Sequence, residues 1–499
     1  MFLLGFAGEV RSGLNGDSAW LLHVAGRVLD GGRLYVDVVE VNPPLVVWIN
    51  LPVVAVARLI GWSEIAVYRG LLWSAALLAL VLSHRALRRL GPALPSGRRQ
   101  ALLVAIGVVL VGIPGGYFGQ REHLALILVL PWLVLAGTRL DGAGAPRGEA
   151  ILLGALAAVG VGLKPQFVIV PLLVAGYGFA VTPRGRRGLQ PDILAMAGVL
   201  GVYAAAALLV APEYLALVRR LGTVYWDYVR RPLGTILAGD LRPLSVLWAL
   251  GYWVVARRLT DQVRLADVLG LATLGFMAAV VLQHKGFGYH YYPAIGSGLL
   301  LVFLGLLGGS RHALTTPFRM VAQGAGMLVL LPVLVLFLGW TARRAAGESR
   351  LGPVAQGSRE IAAFLDARGT GGPVAIWSPW MDDSFPLVLE RRVVWASRYP
   401  FVWFLPAFYR RQLAESGPVR CHHEGEMGPG ERALLGTVAE DLRRWRPELV
   451  FVRKPDQADL LRIPVLSCLG ELPMFRREFG AYRPIVDLGH FRVYQRSDS

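Results

Sequence analysis

The residues best suited to chemistry lie at three points in this 499-residue sequence. The first is the stretch NGDSAWLLHVAGRVLDGGRLYVDVVEVNPPLVVWINLP, which carries Asp17, Asp30, Asp37 and Glu40 beside apolar segments. Carboxylates so placed can deprotonate a hydroxyl, bind a divalent ion, or be solvated loop groups. The second is Gly119-Gln120-Arg121-Glu122-His123, a charged turn between two apolar runs, where ionisable groups are costly and are usually paired or functional. Read structurally, Arg121 and Glu122 pair and pin the turn; read functionally, Arg121 contacts an anion, with Glu122 orienting it and His123 alongside. The third is QHKGFGYHYYP, in which His284, Tyr289, His290, Tyr291 and Tyr292 surround Lys285. Lys164, in GLKPQF, is its counterpart. Only Lys164, Lys285 and Lys454 are lysines, against 48 arginines, so two of three stand at the ends of apolar segments. Arginine would snorkel to an interface as well as lysine, whereas a compact ammonium suits a phosphate as a point charge. Lys285 is the stronger candidate of the two. His284 and His290 lack a third partner for a metal.

The elements that position these residues are set by composition. Hydrophobic residues make up 55% and charged residues 17%, with mean hydropathy +0.50. An ordinary soluble domain carries about 25% charged residues, so a disordered, fibrous or cytosolic class is excluded and a mostly α, polytopic membrane protein is expected. Apolar runs of spanning length fall near 64–84, 100–117, 122–140, 149–163, 166–182, 191–211, 243–257, 266–283, 291–308 and 319–341, ten or eleven helices in all if the stretch at 45–61 or a first span is added. The 45–61 stretch contains Pro52 and Arg58 and follows Pro43 and Pro44, so it is expected to lie at the interface. Residues 1–7, MFLLGFA, read as the remnant of a first span that begins upstream.

The net charge of +17 is mostly topology. Residues up to 341 hold 28 basic against 15 acidic groups. Every second connector is arginine-rich: Arg85, Arg88, Arg89, Arg98 and Arg99; Arg139 and Arg147; Arg184, Arg186 and Arg187; Arg257, Arg258 and Arg264; Arg311 and Arg319. The positive-inside rule makes these cytoplasmic and places the first loop, Arg121, Lys285 and the tail outside. Nucleic acid is not needed to explain the charge. The loop 212–242 is an exception, with Arg219, Arg220, Arg230, Arg231 and Arg242 on the outer side. There Tyr214, Leu217, Val218, Leu221, Tyr225 and Tyr228 recur at helical spacing, the pattern of an amphipathic surface helix.

From residue 342 the composition becomes that of a soluble domain. Helices are expected at 358–368, 400–416 and 430–446, and strands at 374–378, 392–396, 449–453 and 491–495, a small α/β domain. It has no phosphate-binding loop or nucleophile elbow, and acceptor recognition is its expected role. Cys421 and Cys468 would face an oxidising compartment, where a disulfide is one of two open outcomes; Cys421-His422-His423 alone is a weak metal signal. The domains read as 1–63, a first outer loop with the acidic site and an interfacial helix; 64–341, the spans; and 342–499, the outer domain.

Asp17 a few residues after a span, then Gly32, Tyr35 and Asp37 in Gly-x-x-Tyr-x-Asp, then Pro43-Pro44-Leu45 leading into an apolar helix, resemble the first outer loop of GT-C glycosyltransferases. Protein O-mannosyltransferases and lipid A aminoarabinose transferases are the nearest in kind. Two departures stand out: Ser18 is found where many members have a second acid, and Asn42 where the aminoarabinose enzymes have a lysine. The resemblance implies an inverting transferase in a bacterial inner membrane, its C-terminal domain periplasmic, moving a hexosyl or pentosyl group from a polyprenyl-phosphate donor to a glycan, lipid or protein acceptor. Asp17 would be the general base. Arg121, Lys164 and Lys285 would hold the donor phosphate, and Asp37, Glu40, Glu122, His123, Tyr289 and His290 would support the site or face the acceptor. No cofactor is required, and a divalent ion at Asp37 and Glu40 is the lesser alternative. A flippase of lipid-linked glycans and an envelope-assembly scaffold remain competing readings.

Overall fold

The computed structural model describes residues 14–183, 188, 190–308, 320, 321, 323–328, 331, 335, 353–369, 371–415, 417–456 and 461–497. The expected remnant at 1–7, most of the expected span 319–341, and Arg184, Arg186, Arg187, Arg311 and Arg319 lie outside the described residues. The helices that matter for the site begin with α1 (Gly16–Leu29), α2 (Leu51–Ile60), α3 (Glu64–Arg88), α4 (Ser96–Gly107) and α5 (Arg121–Leu140). They continue with α6 (Arg147–Gly162), α7 (Ile169–Val181), α8 (Pro191–Val210), α9 (Glu213–Asp227) and α10 (Leu241–Leu259). The last are α11 (Val263–Gln283), α12 (Tyr292–Leu307), α13 (Pro353–Arg368) and α14 (Pro429–Trp445). The strands are β1 (Val374–Trp377), β2 (Leu449–Arg453), β3 (Tyr482–Asp487) and β4 (Phe491–Arg496).

The described residues fall into two compact units, one of Ile65–Ala207 and Arg231–Ser349, the other of Leu14–Glu64, Leu208–Arg230 and Arg350–Ser499. The first unit is the helix bundle. Each expected segment from 64 to 308 is helical, but by length and composition five helices of the described residues are able to cross a membrane: α3, α5, α8, α11 and Gly288–Leu307. The others are shorter or more charged; α6 has 16 residues, and α10 carries Arg242, Arg257 and Arg258 near its ends. Helices α5, α11 and α12 are buried along most of their length, whereas α8 is almost wholly exposed and presents apolar side chains outward, as a lipid-facing helix must.

The acids of the bundle show how charge is tolerated there. Glu149 on α6 pairs with Arg89 and, at 3.4 Å, with Arg85. Asp192 on α8 accepts from Arg139 at 2.5 Å and from the Trp132 indole at 2.8 Å. Asp267 on α11 pairs with Arg257 at 3.0 Å and accepts from the Trp253 indole and the Tyr177 hydroxyl. All lie at the end of the helices that the arginine pattern marks as cytoplasmic, so part of that positive charge is neutralised within the fold.

The second unit is assembled from three separate stretches of chain. Its sheet has the order β1-β2-β4-β3, with β1 and β2 parallel and the other pairs antiparallel. Both β1 and β2 are buried throughout, as expected of their apolar runs Val-Ala-Ile-Trp and Leu-Val-Phe-Val. Their side chains share one core with Leu434, Leu435, Val438 and Leu442 of α14. Tyr35 and Val39 of the first loop and Leu217 and Leu221 of α9 belong to the same core. The Val39 amide donates to the Arg398 carbonyl at 2.8 Å, and the Trp20 ring meets Phe385 edge-on at 5.2 Å.

The apolar stretch at 45–61, expected not to span, forms two short helices, Leu45–Trp48 and α2, neither long enough to span. Other expectations change. The strand expected at 392–396 is reduced to a bridge between Val374 and Trp395, and the helix expected at 400–416 is broken into Leu405–Phe408 and Arg410–Ala414. Strand β3 was not foreseen. The apolar side of α9 packs into the unit instead of lying on an outer surface.

Cys421 and Cys468 form a disulfide across 47 residues. Loop-closure entropy gives such a crosslink a stabilising effect of about 4 kcal/mol. Cys468→Ser in the full chain should therefore lower the unfolding midpoint of this unit, and reductant should do the same to the wild type and nothing further to the variant. Identical midpoints with and without reductant would show that the bridge does not support the fold.

Candidate functional site

In the helix bundle, the first turn of α5 carries Arg121, Glu122 and His123, all buried. Pro165 stops the helix that precedes it, leaving Lys164 extended and buried at the break. Its ammonium forms an ion pair with Glu122, donates to Gln283 Oε1 at 2.8 Å, and lies 5.7 Å from the centroid of the Tyr289 ring. His290 stands in the turn Gly288–Tyr291, with Nε2 3.7 Å from Glu122 Oε1 and its ring packed edge-on against Tyr289 and Phe287. The charges of Lys164, Arg121, Lys285 and Arg231 all act on the His290 ring. The three cations singled out in the sequence therefore converge on one buried imidazole, together with a fourth.

That fourth cation was missed as a site residue because it sits in the arginine-rich loop 212–242 and looks there like one surface charge among several. Its backbone amide donates to the His284 carbonyl at 2.8 Å, and its Cδ lies 3.6 Å from where a Cβ on Gly286 would be. Helix α11 ends as His284 turns left-handed, with φ +53°, and Gly286 follows at φ +57°. This double reversal points the chain back over its own helix end and makes glycine the suited residue at 286. Lys285 lies between the two turns and is buried.

Glu122 takes a different role from the one its neighbour suggested: its carboxylate goes to Lys164, not to the orienting of Arg121. His123 is structural. Its Nδ1 accepts from the Gly119 amide at 3.0 Å, which leaves the proton on Nε2 to donate to the Leu110 carbonyl at 2.8 Å, and the ring packs on Phe118 and Tyr292.

In the second unit, Asp17 occupies the first turn of α1, whose N-cap Asn15 accepts from the Ser18 amide at 2.9 Å. A carboxylate is favourable at that end of a helix. A second acid comes from far along the chain. Asp382 Oδ1 lies 2.9 Å from the position of a Cβ on Gly16, and Met381 Cγ 2.7 Å from it, so any larger residue at 16 would push these side chains away. Burial first, then Tyr225 and the charges of Asp17 and Asp382, push the Tyr228 phenol far above its ordinary range. The adjacent Asp383 is fully buried and occupied by Arg453 at 2.8 Å and by Ser378. No sequence signal tied Asp382 to Asp17 across 365 positions of chain.

The other acids of the first loop are structural. Hydrogen bonds from Arg444 and from the Arg33 backbone hold the Asp37 carboxyl down at about 2. Arg444 donates to it at 2.8 Å. Glu40, buried, accepts from the Trp20 indole at 2.7 Å and from Asn42 through both its backbone amide, at 2.8 Å, and its side chain. Tyr35 donates to the Asn42 carbonyl at 2.8 Å. Carboxylates so engaged are poor ligands for a divalent ion, and among the described residues no group of three or more His, Cys, Asp or Glu has metal-site geometry.

No family model and no curated protein sequence matches the chain. Solved structures do. ArnT from Cupriavidus metallidurans bound to undecaprenyl phosphate superposes with TM-score 0.56 at 13% identity, over 99% of this chain and 96% of that one. ArnT in the apo state gives TM-score 0.55 at the same identity, over 99% and 95%. An arabinofuranosyltransferase from Mycobacteria, AftD, covers 89% of this chain and 36% of its own at 14% identity, with TM-score 0.37, too low for a shared fold to be argued from it. The chain thus shares the fold of ArnT, a polytopic helical bundle with a small sheet near the C-terminus.

The Lys164 and Glu122 pair makes a clear prediction about the bundle. Removing one member of a buried ion pair costs about 3–5 kcal/mol, because the other is left charged without compensation. Glu122→Gln should lower the unfolding temperature in detergent or nanodiscs, and adding Lys164→Met should restore much of the loss. Additive losses in the double variant would show that the two side chains do not depend on each other.

Proposed function

We propose that this chain is a membrane glycosyltransferase that transfers a sugar from a polyprenyl-phosphate donor to a glycan, lipid or protein acceptor of the cell envelope. The observation that carries the reading is the convergence of Arg121, Lys164, Lys285 and Arg231 on His290 at one end of a spanning bundle. Cations are expensive at such depth, and a phosphate carried by a lipid is the ligand whose charge and location would offset their cost. The GT-C fold supports it, since a structure of ArnT holds undecaprenyl phosphate.

In this reading the leaving group is polyprenyl phosphate. Negative charge grows on its bridging oxygen as the sugar departs, and the four cations stabilise it there. Asp17 takes the proton of the acceptor hydroxyl as that oxygen attacks the anomeric carbon from the opposite face, which inverts the configuration. Asp382 supplies a neighbouring negative charge that keeps Asp17 a ready proton acceptor. Tyr289 offers a ring face to the sugar. The chemistry uses no metal or cofactor. The compartment that fits is a bacterial inner membrane, with the sheet-bearing unit periplasmic and its surface open to the acceptor.

The test gives purified full-length protein a radiolabelled polyprenyl-phosphate sugar and envelope acceptors. Asp17→Asn should lower transfer by about 10²–10⁴-fold while leaving donor affinity within a few-fold of wild type. Lys285→Ala and Arg231→Ala should each weaken donor binding by about 10–100-fold, the range for one charge-assisted hydrogen bond. Neither transfer nor donor hydrolysis by folded wild type would overturn the reading. Movement of a lipid-linked glycan across vesicles that survives Asp17→Asn would replace it with a flippase, and indifference to both Asp17 and Lys285 substitutions would point to a scaffold.

A further inference from the structure

We propose that the outward stripe of α9 is a docking surface for the headgroups of anionic phospholipids. The helix is amphipathic in two senses. One side buries Leu217 and Leu221 in the core of its unit, with Tyr214, Tyr225 and Tyr228 packed against that core. The opposite side leaves Leu215 and Trp226 exposed by 42–44%, and Val218 is exposed at the edge of the core-facing side. Leu215, Arg219 and Trp226 fall at i, i+4 and i+11, a single line along the helix, and the exposed Arg220 lies about 100° round from Arg219. Arg219 and Arg220 form no ion pair with an acid among the described residues, and the Arg230 guanidinium stands over the Trp226 ring at 5.6 Å.

The covalent chain states where this stripe must lie. Helix α8 runs apolar to its last residue, with Leu209 81% and Val210 70% exposed, and only Ala211 and Pro212 separate it from α9. A helix that begins two residues after a lipid-facing span starts at the level of the headgroups. Apolar side chains interleaved with arginines, and an indole at the edge, are what that layer accommodates: Trp sits at the boundary and arginine meets phosphate. Helix α2 offers a built-in contrast. It leads into the α3 span and exposes Val56, Leu59, Ile60 and, just beyond its end, Trp62, but its arginine, Arg58, is held by Asp30 at 2.8 Å. That edge is apolar without a spare charge, so contact there should be indifferent to headgroup charge.

The experiment places full-length protein in nanodiscs of phosphatidylcholine and phosphatidylglycerol at one fixed ratio, with bromine on the acyl chains of one lipid or of the other. The emission of Trp226 is isolated as the difference between wild type and Trp226→Phe, and that of Trp62 in the same way. Brominated phosphatidylglycerol should quench Trp226 more than brominated phosphatidylcholine, whereas Trp62 should be quenched equally by both. Arg219→Gln with Arg220→Gln, both at exposed positions, should abolish the preference, a change of about tenfold or more in relative lipid affinity. Trp226 unquenched by either lipid would overturn the proposal, as would equal quenching by both in the wild type. So would loss of the preference on adding polyprenyl phosphate in equimolar amount, because the stripe would then be a subsite for that lipid.

Discussion

An ionised side chain inside an apolar helix bundle must meet an opposite charge, and this constraint organises the first unit from end to end. Helix α5 carries Glu122 in its first turn and Arg139 in its last, about 25 Å apart at 1.5 Å per residue. Helix α6 starts near Glu149 and is followed by Lys164; α11 starts near Asp267 and ends at Gln283. At one end, arginines from the connectors close on Glu149, Asp192 and Asp267. At the other, a lysine closes on Glu122, and the charges of Arg121, Lys285 and Arg231 also act on His290. The two ends of the same helices are therefore organised differently: at one, acids are met by arginines from the connectors, and at the other, basic side chains gather around a buried imidazole.

The second unit solves a different problem, that of holding Asp17 on a rigid support. The first loop has too little apolar surface to form a core of its own. It borrows one, through Tyr35 and Val39, from the β1 and β2 strands and α14. The acids that resemble catalytic groups on paper, Asp37 and Glu40, are the fasteners of this arrangement, and their hydrogen bonds fix the backbone that carries α1. Asp17 sits at a helix start, and its charge and that of Asp382 both act on Tyr228.

Much of this was legible in the chain. Long apolar runs located the helices from 64 to 308, because desolvating the backbone of such runs demands helix. The apolar β1 and β2 and the amphipathic α14 were likewise readable, whereas pairing of the two cysteines was one of two open outcomes. Strand β3 was not, since Tyr482–Asp487 is an edge strand with Pro484 and, apart from Tyr482, exposed side chains, so no buried face imposed a period on it. The helix expected at 400–416 gave way to two short pieces, with Phe404 just before the first and Tyr409 between them, both buried in the core; five residues apart, the two would point about 140° apart on one continuous helix. At the site, the scarcity of lysine singled out Lys164 and Lys285, and both are buried near His290. The partner of Lys164, the fourth cation and the second acid depend on contacts between residues 42 to 365 positions apart, and no local pattern encodes these.

The three-part construction of the second unit also sets a timetable for synthesis. Residues 14–64 emerge early, yet the strands and helix that complete their core begin at Val374. At about 5–20 residues per second the wait is on the order of tens of seconds, during which every bundle helix must be inserted. Throughout that interval Trp20, Tyr35 and Val39 have no core to enter. The unit cannot mature cotranslationally from its N-terminal end, so its first loop stays uncovered until the last third of the chain has been made.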